Sequence, residues 1–281
     1  MTDLFSKSLQ KRKFLPVMIF DIVLTVGVVV AAIFSVLLRA LKVNGAVAAI
    51  AVGVMIIQGT HFRGLMLLGI FFVTSNLWSK YRHHEKIALK DMVEKGDVRD
   101  YAQVLANGGV AALFSLIFAV TGEKAALFAF CVSLASANAD TWASEIGVLS
   151  KKDPVSLFTG KRVAKGTSGA VSVLGTLAGL CGSALIATSS FLFWPNILHP
   201  YSLLGITVLG FFNMLLDSVF GFSLQEKRLC YRCGKITEKG EHCGKVTSYK
   251  KGIPGFNNDW VNFTSILITS ILSYFFYKFL S

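Results

Sequence analysis

The sequence predicts an all-α, polytopic transmembrane helical bundle of about seven to eight membrane segments, one of them re-entrant, and three observations carry that prediction. Hydrophobic residues make up 53% of the 281 and charged residues only 16%. Long stretches are nearly free of charge: Phe14 to Leu38 holds only Asp21, Gln103 to Thr121 holds none, and Gly166 to Gln225 holds only Asp217. Each meets the requirement of roughly 20 apolar residues for a membrane-spanning helix, and the last is long enough for two. The break within it falls at Trp194-Pro195 and His199-Pro200, where prolines remove backbone donors and a tryptophan suits the membrane interface.

In chain order the expected segments are 14–38, 44–59, 62–80, 103–121, 124–148, 166–192, 201–225 and 260–279. The basic stretch Lys7 to Lys13 precedes an apolar run too long for a cleaved signal, so the first helix should stay as an anchor. The excess of Lys and Arg on cytoplasmic loops places both that stretch and the segment Lys80 to Lys95 in the cytoplasm. Three full crossings between them cannot satisfy both, which makes the short, glycine-bounded 44–59 piece the expected re-entrant segment. Beyond residue 80 the alternation puts 80–101, 149–165 and 226–257 on the cytoplasmic side of a cell membrane. The net charge of +12 follows from these loops and calls for no nucleic acid. The chain reads as one membrane domain, 1–281, whose sizeable extramembrane part is 226–257; its oligomeric state is left open.

Polar residues inside the apolar runs carry the functional signal. A carboxylate at membrane depth costs about 2.5–3.5 kcal/mol on insertion scales, so it faces protein, a cation or a wet cavity. Asp140 and Glu145 lie in such a run with Asn138, Thr141 and Ser144, and helical spacing gathers them into one broad polar face. Arg99, Asp100, Gln103 and Asn107 gather at the start of the preceding span. After Asp140 and Glu145 come Lys161, Arg162 and Lys165, then Gly166-Thr167-Ser168-Gly169 leading into the next span. A helix starting at Thr167 or Ser168 would offer free N–H groups beside those cations, an anion cradle that lacks the order of a Walker A loop. Gly175, Gly179 and Gly182 read as a close-packing face without chemistry.

Two further acids repeat the pattern: Asp217, with Ser218 and Gln225, and Asp259, with Asn258 and Asn262. For Asp259, helix N-capping explains part of the cluster but leaves Asn262 unexplained. Carboxylates beside a basic cradle suit phosphoryl transfer, in which Mg²⁺ is held by one or two carboxylates and cations offset the charge of the transferred group. Asp140, Glu145 and Asp217 are the expected metal-organising acids, Asp259 a further carboxylate, and Lys161, Arg162 and Lys165 the charge-neutralising groups. Placing the site among apolar helices points to a lipid phosphate as acceptor, itself an anionic nucleophile that needs no general base. The five histidines form no cluster. Buried acids beside a broken helix also mark lipid transporters and flippases, and depth separates the readings: a transferase site belongs at one face, a transport site near the centre.

Taken in order, Arg99-Asp100-x-x-Gln103, Asn107-Gly108-Gly109, the run Asn138 to Gly147, Gly166 to Gly169, Asp217-Ser218 with Gln225, and Asn258-Asp259 with Asn262 resemble the phytyl-phosphate kinase family. This is the DUF92 group of integral membrane proteins, with animal relatives called transmembrane protein nineteen, and the resemblance covers nearly the whole chain. It implies conversion of an isoprenyl monophosphate (phytyl, geranylgeranyl or longer) to its diphosphate, with a nucleoside triphosphate such as CTP as donor. The loop residues Cys230, Cys233, His242 and Cys243 supply four zinc-ligand types, although the adjacency of His242 and Cys243 strains a shared ion. A reduced loop with incidental cysteines is the other reading.

Overall fold

The computed structural model describes the backbone of residues 2–90, 96 and 98–280, and the side chains of 19–86, 96 and 98–279. Eight helices dominate it: α1 (Thr2–Leu37), α2 (Val43–Lys80), α3 (His83–Lys90), α4 (Tyr101–Thr121), α5 (Lys124–Gly147), α6 (Val173–Phe193), α7 (Pro200–Ser223) and α8 (Asn258–Leu280). Strands β1 (Val155–Ser156) and β2 (Ala170–Val171) pair between α5 and α6. Between α7 and α8 lie β3 (Lys227–Leu229), β4 (Ile236–Thr237), β5 (Glu241–His242), β6 (Lys245–Val246) and β7 (Ser248–Lys251). There β3 pairs with β4 and β7, and β5 with β6, all antiparallel.

Helix α5 is the axis of the bundle. Every residue from Ala125 to Ala139 is buried, and α2, α4, α6, α7 and α8 all pack on it. A helix that is covered all round sits inside a bundle, not at its surface. Six helices are long and apolar enough to cross a membrane, namely α1, α2, α4, α6, α7 and α8. Helix α5 is not among them, because its second half carries the polar run that the surrounding helices shelter. Outward faces of the surrounding helices expose Val30, Phe34, Leu113, Leu177, Val208 and Phe275, as a lipid-facing surface requires.

The 38 residues of α2 form two antiparallel arms, because His61 adopts φ 50° and ψ −144° and breaks the helical geometry. Arg99 fixes the fold-back: its carbonyl abuts Gly45 while its guanidinium lies 5.9 Å from the Phe72 ring centroid. In a continuous helix those two positions would stand about 40 Å apart. Residues 43–60 and 62–80 therefore match the two expected segments, the first a helical arm that turns back at His61. Along α4, Gly45 meets Arg99, Val52 meets Gly108 and Gly59 meets Ser115, so the arm runs parallel to α4 over nearly its whole length. At about 27 Å, an 18-residue arm comes close to the roughly 30 Å of the hydrocarbon core. Its glycines mark close helix contacts.

The expected placement of the N-terminal basic stretch is corrected by α1. On α1, Val28 meets Gly53 and Asp21 lies 3.1 Å from His61, so α1 runs antiparallel to residues 43–60. The N-terminal part of α1 thus points away from the end where Arg99 and Lys80 lie, so Lys7–Lys13 and Lys80 stand toward opposite ends of the bundle.

Helix boundaries elsewhere agree with their capping chemistry. Asp100 and Gln103 form a reciprocal capping box at α4, each side chain accepting from the other's backbone N–H at 3.1 Å. Pro200 opens α7 at a position where its missing donor costs nothing. Helix α6 starts later than expected: Ser172 caps it by accepting from Gly175 N–H at 3.1 Å, and Val173 is its first residue. Gly166 and Gly169, at φ 80° and 81°, belong to a turn, a left-handed conformation that a helix start does not use. At α8 the cap is Asn257, whose Oδ1 accepts from Asp259 and Trp260 N–H at 3.1 and 3.3 Å, so capping does not account for Asp259.

Candidate functional site

A cavity of about 380 Å³ opens at one end of the bundle, where α4 and α8 begin and α5 and α7 end. Arg99, Gln103 and Asn107 line it from α4 and the residue before its cap; Asp140, Thr141, Ser144 and Glu145 line it from α5. The turn before α6 contributes Lys165, Gly166, Thr167, Ser168 and Gly169, α7 contributes Asp217 and Ser218, and α8 contributes Asn258, Asp259 and Asn262. Segments remote in sequence therefore deliver most of the expected residues to one chamber, at one end of the bundle and not at its middle.

Asp140 and Asp217 both line it, one from α5 and the other from α7. Asp217 is oriented from α8: Ser265 donates to its Oδ2 at 3.3 Å, and the Asn262 amide nitrogen, turned so that both its polar atoms are satisfied, donates to the same oxygen at 2.9 Å. Two carboxylates in one sheltered chamber, with hydroxyl and amide oxygens beside them, form a site that suits a hard divalent cation. Asp259 is 8% exposed and enters from the first turn of α8.

Glu145 has different surroundings. Lys86, itself 1% exposed, donates to its Oε2 at 2.7 Å and Ser79 to its Oε1 at 2.8 Å. An acid already neutralised by a buried ammonium attracts a cation weakly, which leaves Asp140 and Asp217 as the acids that could hold one, while Glu145 ties α5 to α2 and to Lys86 on α3. Sequence reasoning missed Lys86, because one lysine in a basic loop carries no sign that its ammonium folds back to a helix end.

Five expected residues stand outside the cavity. Asn138 is fully buried, donates to the Gly182 carbonyl at 2.8 Å and accepts from Thr74 at 3.2 Å, so it fastens α5 to α6 and α2 and leaves the polar face narrower than expected. Asp100 is occupied with its capping box and a 3.8 Å ion pair to Lys42. Gln225, 1% exposed, accepts from Ser168 Oγ and latches the α6 turn to the end of α7. Lys161 and Arg162 lie on an exposed turn, which leaves Lys165 as the cavity-lining member of that cationic trio. The turn itself is held close: a Cβ on Gly169 would stand 2.7 Å from the Ser218 carbonyl, and Lys227 Nζ donates to the Ser168 carbonyl at 3.1 Å. The anion cradle is thus a glycine turn with Lys165 beside it, not a helix N-terminus.

A helical bundle with acids and cations gathered in a chamber at one end defines a polytopic integral membrane protein with a polar site among its helices. This chain belongs to the DUF92 integral membrane protein family, which matches residues 26–270. It is 31% identical to Protein PGR of Arabidopsis thaliana over 235 residues, 75% of this chain and 81% of that one. It is 33% identical to the uncharacterized membrane protein MJ0933 of Methanocaldococcus jannaschii over 217 residues, 77% and 85% of the two chains. To the chloroplastic Protein VTE6 of Arabidopsis thaliana it is 27% identical over 243 residues, 84% and 65% of the two chains. No solved structure matches.

Proposed function

We propose that the chamber is the active site of a membrane-embedded isoprenyl-phosphate kinase, which moves the terminal phosphoryl group of a nucleoside triphosphate, CTP among the candidates, onto an isoprenyl monophosphate. The observation that carries this reading is the meeting of Asp140, Asp217 and Asp259 with Arg99, Lys165 and the Gly166–Gly169 turn in one chamber at one end of the bundle. A transporter or flippase would call for charge near the middle, with access from both ends.

The donor set fits Mg²⁺: its side chains offer carboxylate, hydroxyl and amide oxygens and no thiol or imidazole. Asp140 and Asp217 would hold the ion with Asp259 beside them, and when bound it supplies charge neutralisation for the phosphates. Arg99 and Lys165 offset the negative charge on the transferred group, and the turn at Gly166 and Gly169 lets backbone approach a phosphate without a Cβ in the way. Lys86, through Glu145, keeps the end of α5 in place. In the transfer, one P–O bond forms to an oxygen of the lipid phosphate and one breaks to the leaving nucleoside diphosphate. The apolar exterior gives the isoprenyl chain a place in the surrounding lipid, and the cytoplasm of a cell membrane is the side on which a nucleotide would be met.

The test is reconstitution of purified protein with Mg²⁺, a panel of isoprenyl monophosphates and each labelled nucleoside triphosphate. Lipid diphosphate that appears with one donor and vanishes with EDTA is the expected result. Folded protein that yields no product with any pair overturns the reading, and lipid movement across vesicles would then be measured.

A further inference from the structure

The segment between α7 and α8 brings four metal-ligating side chains to one point, outside the chamber. One ligand atom each from Cys230, Cys233, His242 and Cys243 lies within 4.8 Å of the other three. His242 Nδ1 stands 3.2 Å from Cys243 Sγ and 3.5 Å from Cys233 Sγ. Two turns deliver the ligands in pairs. The first is a knuckle after β3, in which Cys230 N–H donates to the Lys235 carbonyl at 3.0 Å and Gly234 N–H to the Cys230 carbonyl at 2.8 Å. The second is the β5–β6 hairpin, whose two turn residues, Cys243 and Gly244, both have positive φ, at 55° and 68°.

That hairpin answers the objection that adjacent residues cannot share an ion. A two-residue turn with positive φ at both positions strongly prefers Asn-Gly or Asp-Gly, whose side chains tolerate the left-handed region. Cysteine has no such aptitude, and its presence there needs another reason. The left-handed backbone brings its thiol round to the side on which His242 lies, and both then face the knuckle pair. Three thiolates and one imidazole are a tetrahedral zinc set. No disulfide joins them; all three thiols are free.

We propose that Cys230, Cys233, His242 and Cys243 bind one structural zinc ion, which fastens the two turns together beside the chamber. The fastening bears on the chamber through Glu238, which lies between the two ligand pairs and lines the cavity, and through Lys227, which precedes the knuckle and holds the Ser168 carbonyl.

The test is metal content, read independently of any phosphoryl transfer. Purified detergent-solubilised protein should carry close to one zinc per chain by elemental mass spectrometry, and Cys181→Ser should keep it. Cys243→Asn is the decisive variant, since Asn suits the turn but removes the ligand: it should keep the helical circular dichroism and lose at least tenfold in zinc affinity against a chromophoric chelator. Cobalt in place of zinc should give the intense visible bands of tetrahedral thiolate coordination. Equal zinc content in wild type and Cys243→Asn, octahedral cobalt spectra, failure to compete with the chelator, or a disulfide in the alkylated intact mass would each overturn the proposal.

Discussion

At the scale of single residues, the proposal gives the two central acids and the buried lysine different consequences. Asp140→Asn keeps the shape of the side chain and removes its charge, so transfer should fall by about 100-fold or more while the helical signal and melting stay unchanged. Wild-type turnover by this variant would remove Asp140 from the site. Lys86→Met should act on stability instead, because it strands Glu145 beside a side chain that cannot neutralise it. Breaking a buried pair costs about 3–5 kcal/mol, and the 20% exposure of the Glu145 side chain argues for the lower end. The expected result is a clear fall in apparent melting temperature in detergent, with much of it recovered in Lys86→Met combined with Glu145→Gln. No recovery would mean that Lys86 matters for its packing and not for its charge. Acids in apolar runs betray themselves in sequence, and Asp140 and Asp217 were legible for that reason, while Asp259 stood out through the neighbouring Asn258 and Asn262. The partner that redirects Glu145 was not, since its position depends on how the 81–86 turn folds.

At the scale of elements, α6 and the α7–α8 connection set how tightly the chamber is held. A Cβ on Gly182 would lie 3.0 Å from the Trp142 ring and 3.1 Å from the Asn138 carbonyl, whereas one on Gly109 would meet nothing within 4 Å. Gly182→Leu should therefore force α6 away from α5, at about 1–3 kcal/mol, lowering the melting temperature and the activity together, while Gly109→Ala leaves both near wild type. Equal behaviour of the two variants would show that the close approach has no energetic weight. The connection leading to Asp259 carries a pH dependence. Glu226 accepts from Gly255 N–H at 2.6 Å and from Arg228 at 2.5 Å, and the Gly255 bond, with Arg228 adding to it, holds its carboxyl below the ordinary 4.5. A depressed carboxylate value means that its stabilisation is full above the unfolded value and is lost as pH falls through the folded one. Amide exchange corrected for its intrinsic rate should show Gly255 losing protection as the pH drops below about 4.5, and Glu226→Gln should abolish that dependence. Protection that falls identically in both proteins would place the sensitive group elsewhere. Helix existence and most helix ends were readable from apolar length and proline, but the start of α6 was not, because a serine cap three residues beyond a glycine turn looks the same in sequence as an earlier start.

At the scale of the whole molecule, the fold-back at His61 decides which way the protein sits. Charge counting alone had placed both basic segments on one side and made 44–59 a half-span; contacts along α1, α2 and α4 give three passes between the two ends of the bundle. The charge rule misleads here because it weighs Lys7–Lys13 against Lys80–Lys95 without knowing that Arg39, Lys42, Lys151, Lys152 and Lys165 all gather at the cavity end and together outweigh the N-terminal stretch. In sealed, oriented vesicles, an N-terminal epitope should be reached only from the face opposite that from which protease cuts the exposed 157–162 turn. A membrane-impermeant thiol reagent should modify His61→Cys, mapped by mass spectrometry, from the epitope face, since its side chain is half exposed at the fold-back. Epitope and protease site on one face would restore an even number of passes before α4. Opposite faces, with His61→Cys unreactive from either side, would shorten the α2 arms to a pair that turns back within the bilayer. Only the combination of opposite faces and a reactive residue 61 agrees with arms that cross completely, and it sets the chamber at the face opposite the N-terminus.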